Sequence, residues 1–243
     1  MGLPVPGARL IVPRLPAAGE RIRLDGEQTR HARARRLAPG DPVVLVDGSG
    51  GEAHGRLERL DARGADVLVD AVRRSDPDPA LRLRLLVASV RVERLAWIAE
   101  KATELGVESV VLVQSDRTQR FRASQNARAR LERVAREAAK QAEAARWPSI
   151  AGPTSFADAL AGETARHRLL LDPEGDAFPE VLEPREASLL VGPEGGWTDQ
   201  ERRSAASAGW RPTSLPSGKV RTETAAVAGL VLARAAFARR FPH

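Results

Sequence analysis

Two stretches of this chain set chemically capable side chains beside glycines and prolines that leave backbone accessible. The first is Gly192-Pro193-Glu194-Gly195-Gly196-Trp197-Thr198, whose three glycines let main chain approach a ligand closely. Exposed amides and carbonyls in such a loop suit the edge of a purine. The second, Leu215 to Ala225, runs through Pro216-Ser217-Gly218-Lys219-Val220 into Arg221-Thr222-Glu223-Thr224. Each has a plainer reading: a strand-to-helix turn for the first, and helix capping by Thr222 or Thr224 with Glu223 favouring the helix dipole for the second. Arg221 has no such local explanation.

A third stretch, Gly48-Ser49-Gly50-Gly51-Glu52-Ala53, satisfies G-x-G-x-x-[GA], with Asp70 about where a ribose-binding acid would follow. A dinucleotide turn must open a helix that receives the pyrophosphate, yet Glu52 to Leu60 contains Gly55 and offers only Leu57 and Leu60 as an apolar face. A β-hairpin loop is therefore expected, with dinucleotide-dependent oxidoreduction as the distant rival. With no cysteine, thiolate catalysis and Cys-ligated metal are excluded, and His31, His54, His167 and His243 are too scattered for a histidine metal motif. No P-loop and no G-x-S-x-G elbow occurs, so no metal is expected and hydrolysis is disfavoured.

These loops need elements to hold them. The chain has 243 residues, 42% of them hydrophobic, enough for one large or two modest domains. Ser75-Asp76-Pro77-Asp78-Pro79 is the sharpest break, and the boundary is placed there, giving domains 1–75 and 80–243. Before it, Val43–Val46, Leu57–Leu60 and Val67–Val69 are short strands separated by Gly-rich turns, the spacing of a small β-barrel. After it, strands at Leu81–Val87, Val110–Val113, Leu169–Leu171 and Leu189–Val191 alternate with helices, which predicts an α/β domain with a parallel sheet. The helices are expected over Leu95–Leu105 with Gly106 as cap, Asn126–Arg146, Ser155–Ala161, from a Thr198/Glu201 capping box, and Thr222–Phe241. The last has Thr224–Ala233 without a charge and apolar on every face, which predicts burial, most simply against a second copy of the chain. The proline-broken N-terminus and the lack of a long apolar run predict neither export nor membrane insertion, so a cytoplasmic protein is expected.

Gly-Pro-Glu-Gly-Gly at 192–196 and Arg-Thr-Glu-Thr-Ala at 221–225, preceded by Glu104-Leu105-Gly106-Val107 and Ser115-Asp116-Arg117, resemble the RsmE family of SPOUT methyltransferases over essentially the whole chain. The resemblance implies a PUA-like β-barrel before a trefoil-knotted α/β domain, a homodimer, and methylation by S-adenosylmethionine of N3 of one uridine in 16S ribosomal RNA of the small ribosomal subunit. It also implies three cofactor loops, Leu171-Asp172-Pro173, Val191 to Gly196 and Leu215 to Thr222, with Leu171, Asp172, Val191, Gly192, Pro193, Gly195, Gly196, Leu215, Pro216, Val220 and Thr222 as the cofactor contacts. A fold-retaining RNA-binding protein without activity, and a methyltransferase of another RNA such as transfer RNA, are the alternatives.

In that reaction Arg221 is expected to disperse negative charge as N3 loses its proton, and Glu223 or Glu194 to act as base or orienting acceptor. Pairing of Glu223 with Arg221 merely to fix the loop is the competing role. Net charge is +6, and of 38 basic residues only Lys101, Lys140 and Lys219 are lysine. Arg30, Arg33, Arg35 and Arg36 with His31 cluster in the first domain and are expected to contact RNA phosphates. Base stacking is limited by four Trp, five Phe and no Tyr. Three family patterns depart here: Leu-Gly-x-Arg is replaced by Leu215-Pro216-Ser217-Gly218, Glu-Gln-Ser-x-Arg by Lys140-Gln141-Ala142-Glu143-Ala144, and an N-terminal His-x-x-x-Val-Leu-Arg is only approximate in His31-Ala32-Arg33-Ala34-Arg35-Arg36. Lys219 or Arg146 is expected to take over the displaced basic contact.

Overall fold

The computed structural model describes residues 8–74, 82–118 and 125–238. The expected linker at 75–79, Leu81 and the end of the last helix beyond 238 lie outside the described residues. The chain divides into two units, Met1–Pro79 with Ala139–Trp147, and Ala80–Ala138 with Pro148–His243.

In the first unit, β1 (Ala8–Ile11), β2 (Arg21–Arg23), β3 (Pro42–Val46), β4 (Gly51–Asp61) and β5 (Gly64–Arg74) form one sheet in the order β1-β3-β4-β5-β2. The β1–β3 pair is parallel and the other three pairs are antiparallel. Alternate residues Leu10, Leu45, Leu57, Val67 and Val69 build its core. A helix that apolar periodicity does not reveal, α1 (Gly26–Ala34), starts at Asp25, whose carboxylate accepts the Gln28 amide at 2.7 Å. Its buried face is largely polar, because the Gln28 side chain accepts the Ile11 amide at 2.9 Å.

The Gly48–Ala53 motif turns β3 into the antiparallel partner β4, and Glu52 to Leu60 is strand throughout, so the hairpin reading holds. Gly48 has a φ of +87°, and a Cβ there would lie 2.5 Å from the Trp147 ring. That glycine serves packing, not a phosphate. Asp70 pairs with Arg56 at 3.2 Å on the surface.

The second unit contains β6 (Arg82–Ala88), α2 (Val92–Glu104), β7 (Ser109–Gln114), α3 (Gln125–Gln141), β8 (Ser149–Ser155) and α4 (Phe156–Ala161). It continues with β9 (His167–Ala177), β10 (Glu186–Val191), α5 (Asp199–Ser207), β11 (Arg211–Ser214) and α6 (Thr222–Ala238). Six parallel strands are ordered β11-β9-β10-β6-β7-β8. Both faces are covered, which explains the continuous apolar runs. Leu83, Leu85 and Leu189 pack with residues of α2, α3 and α6, whereas Leu86, Leu170 and Leu190 pack with residues of α4 and α5. The edge strands β8 and β11 carry Pro153 and Pro212, tolerated at edges, and for that reason neither has a clear strand pattern.

Two helices differ from expectation. The helix expected to reach Arg146 ends at Gln141: Glu143 turns to a φ of +53° and the Ala144 amide closes on the Ala139 carbonyl at 2.9 Å. The chain then joins the first unit, where Ala145 packs with Val44 and Val46 of β3. The final helix buries Ala226, Leu230, Ala233 and Phe237 but leaves Val231 47% exposed, so within one chain it is covered on one face and not all round.

Candidate functional site

A bulge within β9 and the loops after β10 and β11 meet towards the carboxyl ends of three adjacent parallel strands, where open α/β sheets bind ligands. They enclose a cavity of about 300 Å³. Strand β9 contributes by bulging: Leu170 pairs with Pro212, but the next β11 residue, Thr213, pairs with Asp176, so 171–175 have no β11 partner, and 171–174 line the cavity. Leu171, Asp172, Val191, Gly192, Pro193, Gly195, Gly196, Leu215, Val220 and Thr222 all line it, as the sequence leads one to expect.

Pro216 does not. The Ser217 amide closes on the Leu215 carbonyl at 2.7 Å, a three-residue turn that carries Pro216 away from the cavity. Pro216 instead lines a second cavity with Phe178, Leu232 and Ala236. Trp197, Arg202 and Ala225 also line the first cavity, although the sequence does not single them out for that role. Ser217, Gly218 and Lys219, inside the expected third loop, line it too.

Three cross-links hold the loops. Trp197 is buried and donates its indole N–H to the Leu171 carbonyl at 3.0 Å, and its ring fills the space a Cβ at Gly192 would take. The Thr222 hydroxyl donates to the Gly192 carbonyl at 2.9 Å, tying the start of α6 to the glycine loop. Asp172 is buried, accepting the Arg202 Nε–H at 2.6 Å and the Glu174 amide at 3.0 Å. Its carboxylate is thus occupied by protein, and it shapes the wall more than it offers charge.

The glycine loop is also braced from the segment that follows β7. Arg117 donates to the Gly195 carbonyl at 2.7 Å, and the Asp116 amide donates to Glu201 Oε1 at 2.9 Å. The other oxygen of Glu201 completes the expected capping box with Thr198. Helix α5 is thereby locked to the loop that precedes it.

Glu194 lines the cavity, whereas Arg221 and Glu223 stand beside it. Arg94, in the first turn of α2, hydrogen-bonds Glu194 and lies 3.7 Å from Glu223. The partner of Glu223 is therefore Arg94 and not Arg221, because the tertiary fold brings the α2 start between the two loops. The Arg94 hydrogen bond and charge hold the Glu194 carboxyl below the usual carboxylate range, assisted by the charges of Arg221 and Arg91 and opposed by burial. Arg94 is absent from the residues the sequence points to, yet a signal exists: Arg91 and Arg94 stand at the N-terminal end of a helix, where the dipole disfavours cations.

The basic cluster of the first unit lies on and just after α1. Arg30, Arg33, Arg35 and Arg36 are exposed and His31 is half-buried. Arg33 hydrogen-bonds the Asp61 carbonyl, and Arg36 has a φ of +56°. Arg146 sits at Ser49, with Nη2 at 3.4 Å from its carbonyl. Among the described residues no group of three or more metal-binding side chains occurs, and no helix is long and apolar enough to cross a membrane.

An RNA methyltransferase domain family matches residues 77–234, and an RNA methyltransferase PUA domain family matches 24–70. Ribosomal RNA small subunit methyltransferase E of Synechocystis sp. is 32% identical over 206 residues, 82% of this chain and 67% of that protein. Its namesake in Mycobacterium bovis is 30% identical over 233 residues, 90% of this chain and 88% of the relative. The crystal structure of ribosomal RNA small subunit methyltransferase E from Neisseria gonorrhoeae bound to S-adenosyl methionine is similar with a TM-score of 0.85 at 26% identity, covering 95% of this chain and 98% of that one. On these matches and this loop geometry, the chain belongs to the RsmE family of RNA methyltransferases, with a PUA domain at its N-terminus.

Proposed function

We propose that this protein transfers the methyl group of S-adenosylmethionine to N3 of one uridine in 16S ribosomal RNA of the small ribosomal subunit. One observation carries the reading: the β9 bulge and the cross-linked loops after β10 and β11 enclose one cavity, in a fold whose Neisseria gonorrhoeae counterpart is solved with S-adenosyl methionine bound. The names of the curated relatives support ribosomal RNA as substrate.

The cavity fits that cofactor. Its walls combine apolar Leu171, Val191, Leu215, Val220 and Ala225 with the main chain of a glycine loop, the mixture that a purine and a short aliphatic chain require. When bound, the sulfonium supplies an electrophilic methyl group. The protein must then hold a nitrogen in line with it and take up the imino proton. Glu194, held as an anion by Arg94, is a poor base and serves as an anchor for the glycine loop. Glu223, which faces Arg94 at 3.7 Å, is the remaining candidate to accept that proton. Arg221, exposed beside these carboxylates, disperses the charge left on the deprotonated base.

RNA capture falls to the N-terminal domain, 1–75 by the sequence boundary, where the exposed arginines on and after α1 suit phosphate contacts. The catalytic domain, 80–243, is read as trefoil-knotted and dimeric. The outward apolar face of α6 with Val231 supports a homodimer whose partner completes each site. A protein that acts on ribosomal RNA is read here as cytoplasmic and as serving ribosome biogenesis.

The test is methyl transfer from labelled S-adenosylmethionine to small ribosomal subunits lacking their native modifications, with free ribosomal RNA and bulk transfer RNA in parallel, followed by mapping of the labelled base. Label at N3 of a single 16S uridine is expected. Label confined to transfer RNA, or cofactor binding with no label on any RNA, overturns the substrate assignment.

A further inference from the structure

The glycine loop divides two sides of the sheet end. In the strand order β11-β9-β10-β6-β7-β8, the cofactor cavity takes its other walls from the β9 and β11 side, whereas the segments after β6 and β7 stand on the opposite side of β10. Each of those two segments sends one arginine to the loop. Arg91 leads into α2, and the Arg94 amide closes on its carbonyl at 3.0 Å, so Arg91 stands one turn from the guanidinium that holds Glu194. Its charge also acts on Glu194. Arg117, after β7, donates from Nη1 to the carbonyls of Gly195 at 2.7 Å and Trp197 at 3.4 Å. Its stem lies 3.4 Å from where a Cβ on Gly195 would project.

Both guanidiniums are exposed, and neither lines the cofactor cavity. The carboxylates nearby are already engaged: Glu194 and Glu223 face Arg94, Glu93 pairs with Arg130, and Asp116 accepts from the Thr198 hydroxyl. Among the described residues, neither Arg91 nor Arg117 forms an ion pair, and Arg117 keeps Nε and Nη2 without a partner. Arg91 does not serve its helix either, since it makes no side-chain cap and opposes the dipole.

We propose that Arg91 and Arg117 form a phosphate-binding edge on the β6/β7 side of the glycine loop, which grips the RNA strand beside the target nucleotide. The inference rests on the RNA-methylation reading above and names the part of the substrate that meets this side of the site. A base that enters the mouth of an active site leaves its own sugar and phosphates at the rim. The cofactor takes the β9/β11 side, so the strand runs along the other. A guanidinium fork matches a pair of phosphate oxygens, and an exposed one without a counterion loses no ion pair on binding.

The experiment uses the full chain with Arg91→Gln, Arg117→Gln and Arg91→Lys. It measures filter binding of free 16S ribosomal RNA and of small subunits at several salt concentrations, S-adenosylmethionine affinity by calorimetry, and kcat and KM on small subunits. Each glutamine variant should weaken binding of free 16S RNA about five- to tenfold and flatten the plot of log affinity against log salt by about 0.7, the share of one single-strand phosphate. Arg91→Gln should raise KM by a similar factor while kcat and cofactor affinity stay within about twofold, the mark of lost uniform binding. Arg117→Gln also loses the bond to Gly195, so its cofactor affinity should fall as well. The salt slope separates the two roles, because a loosened loop leaves the number of phosphates contacted unchanged. Arg91→Lys should keep the slope. An unchanged slope in either glutamine variant overturns the proposal. So does weaker binding to assembled subunits with unaltered binding to free 16S RNA, which would assign the arginines to a ribosomal protein. The slope needs no turnover: if wild type methylates no RNA, the methylation reading fails by itself and the slope still decides this one.

Discussion

The indole N–H of Trp197 meets the carbonyl of Leu171 at 3.0 Å, and that bond joins the glycine loop after β10 to the bulge of β9. Both residues are buried, so the carbonyl has no water to fall back on. Trp197→Phe keeps most of the ring and deletes the donor. The expected cost is about 1–3 kcal/mol for the orphaned carbonyl, with S-adenosylmethionine affinity reduced about tenfold. Thermal unfolding and calorimetry on the purified variant check both, and an unchanged pair of values would show that the loops are held by packing alone.

Glu194 gives a pH dependence with a definite sign. Its folded carboxyl lies below the ordinary value of 4.5, first because Arg94 hydrogen-bonds it. A depressed carboxyl stabilises the fold above its unfolded value, and that contribution is lost as pH falls through the lower folded value. Wild type should therefore exceed Glu194→Gln in stability near neutrality, and the difference should shrink as pH falls below the ordinary carboxylate value and vanish once it has passed the lower folded one. Chemical denaturation of both proteins from neutrality into acid reads this out, and a gap that persists at low pH would assign the difference to something other than ionisation.

Gly48 should tolerate no side chain. Its φ is +87°, and the Trp147 ring stands 2.5 Å from where a methyl group would project. Gly48→Ala is expected to destabilise the protein by about 1–3 kcal/mol through overpacking and backbone strain. Adding Trp147→Ala should relieve the steric part only, so the double variant will be less destabilised than the sum of the singles. Circular-dichroism melts of the four proteins give the cycle.

The arginines around α1 should bind RNA through phosphates. Replacing Arg30 and Arg35 by Gln should weaken binding to all RNAs alike and flatten the plot of log affinity against log salt by about 0.7 for each lost contact to single-stranded RNA. Filter binding at several salt concentrations measures the slope. An unchanged slope would move the RNA contact elsewhere on the protein.

Much of this site is legible without any knowledge of the fold, because its signals are local. The Thr198/Glu201 capping box, Gly106 after α2 and the glycine loop at 192–196 depend on neighbours within a few residues, and each stands where the pattern puts it. The Gly48 motif is separable from a dinucleotide turn because no amphipathic helix follows it. The parallel α/β unit follows from apolar runs that alternate with helical periods.

Other features are set by contacts between residues far apart in sequence, and no local pattern encodes those. Arg94 meets Glu194 a hundred residues on, so the partner of each glutamate is decided only when α2, β10 and α6 come together. Pro216 reads like its cavity-lining neighbours, but a hydrogen bond from Ser217 to Leu215 turns it outward. The α3 helix has helix-forming residues to spare beyond Gln141, and packing of Ala145 and Trp147 in the first unit takes them. The sequence by itself determined which loops carry the chemistry, since short-range backbone and capping preferences make them. Only the tertiary structure decided which charges pair there, since that depends on which distant side chains share a few ångströms of space.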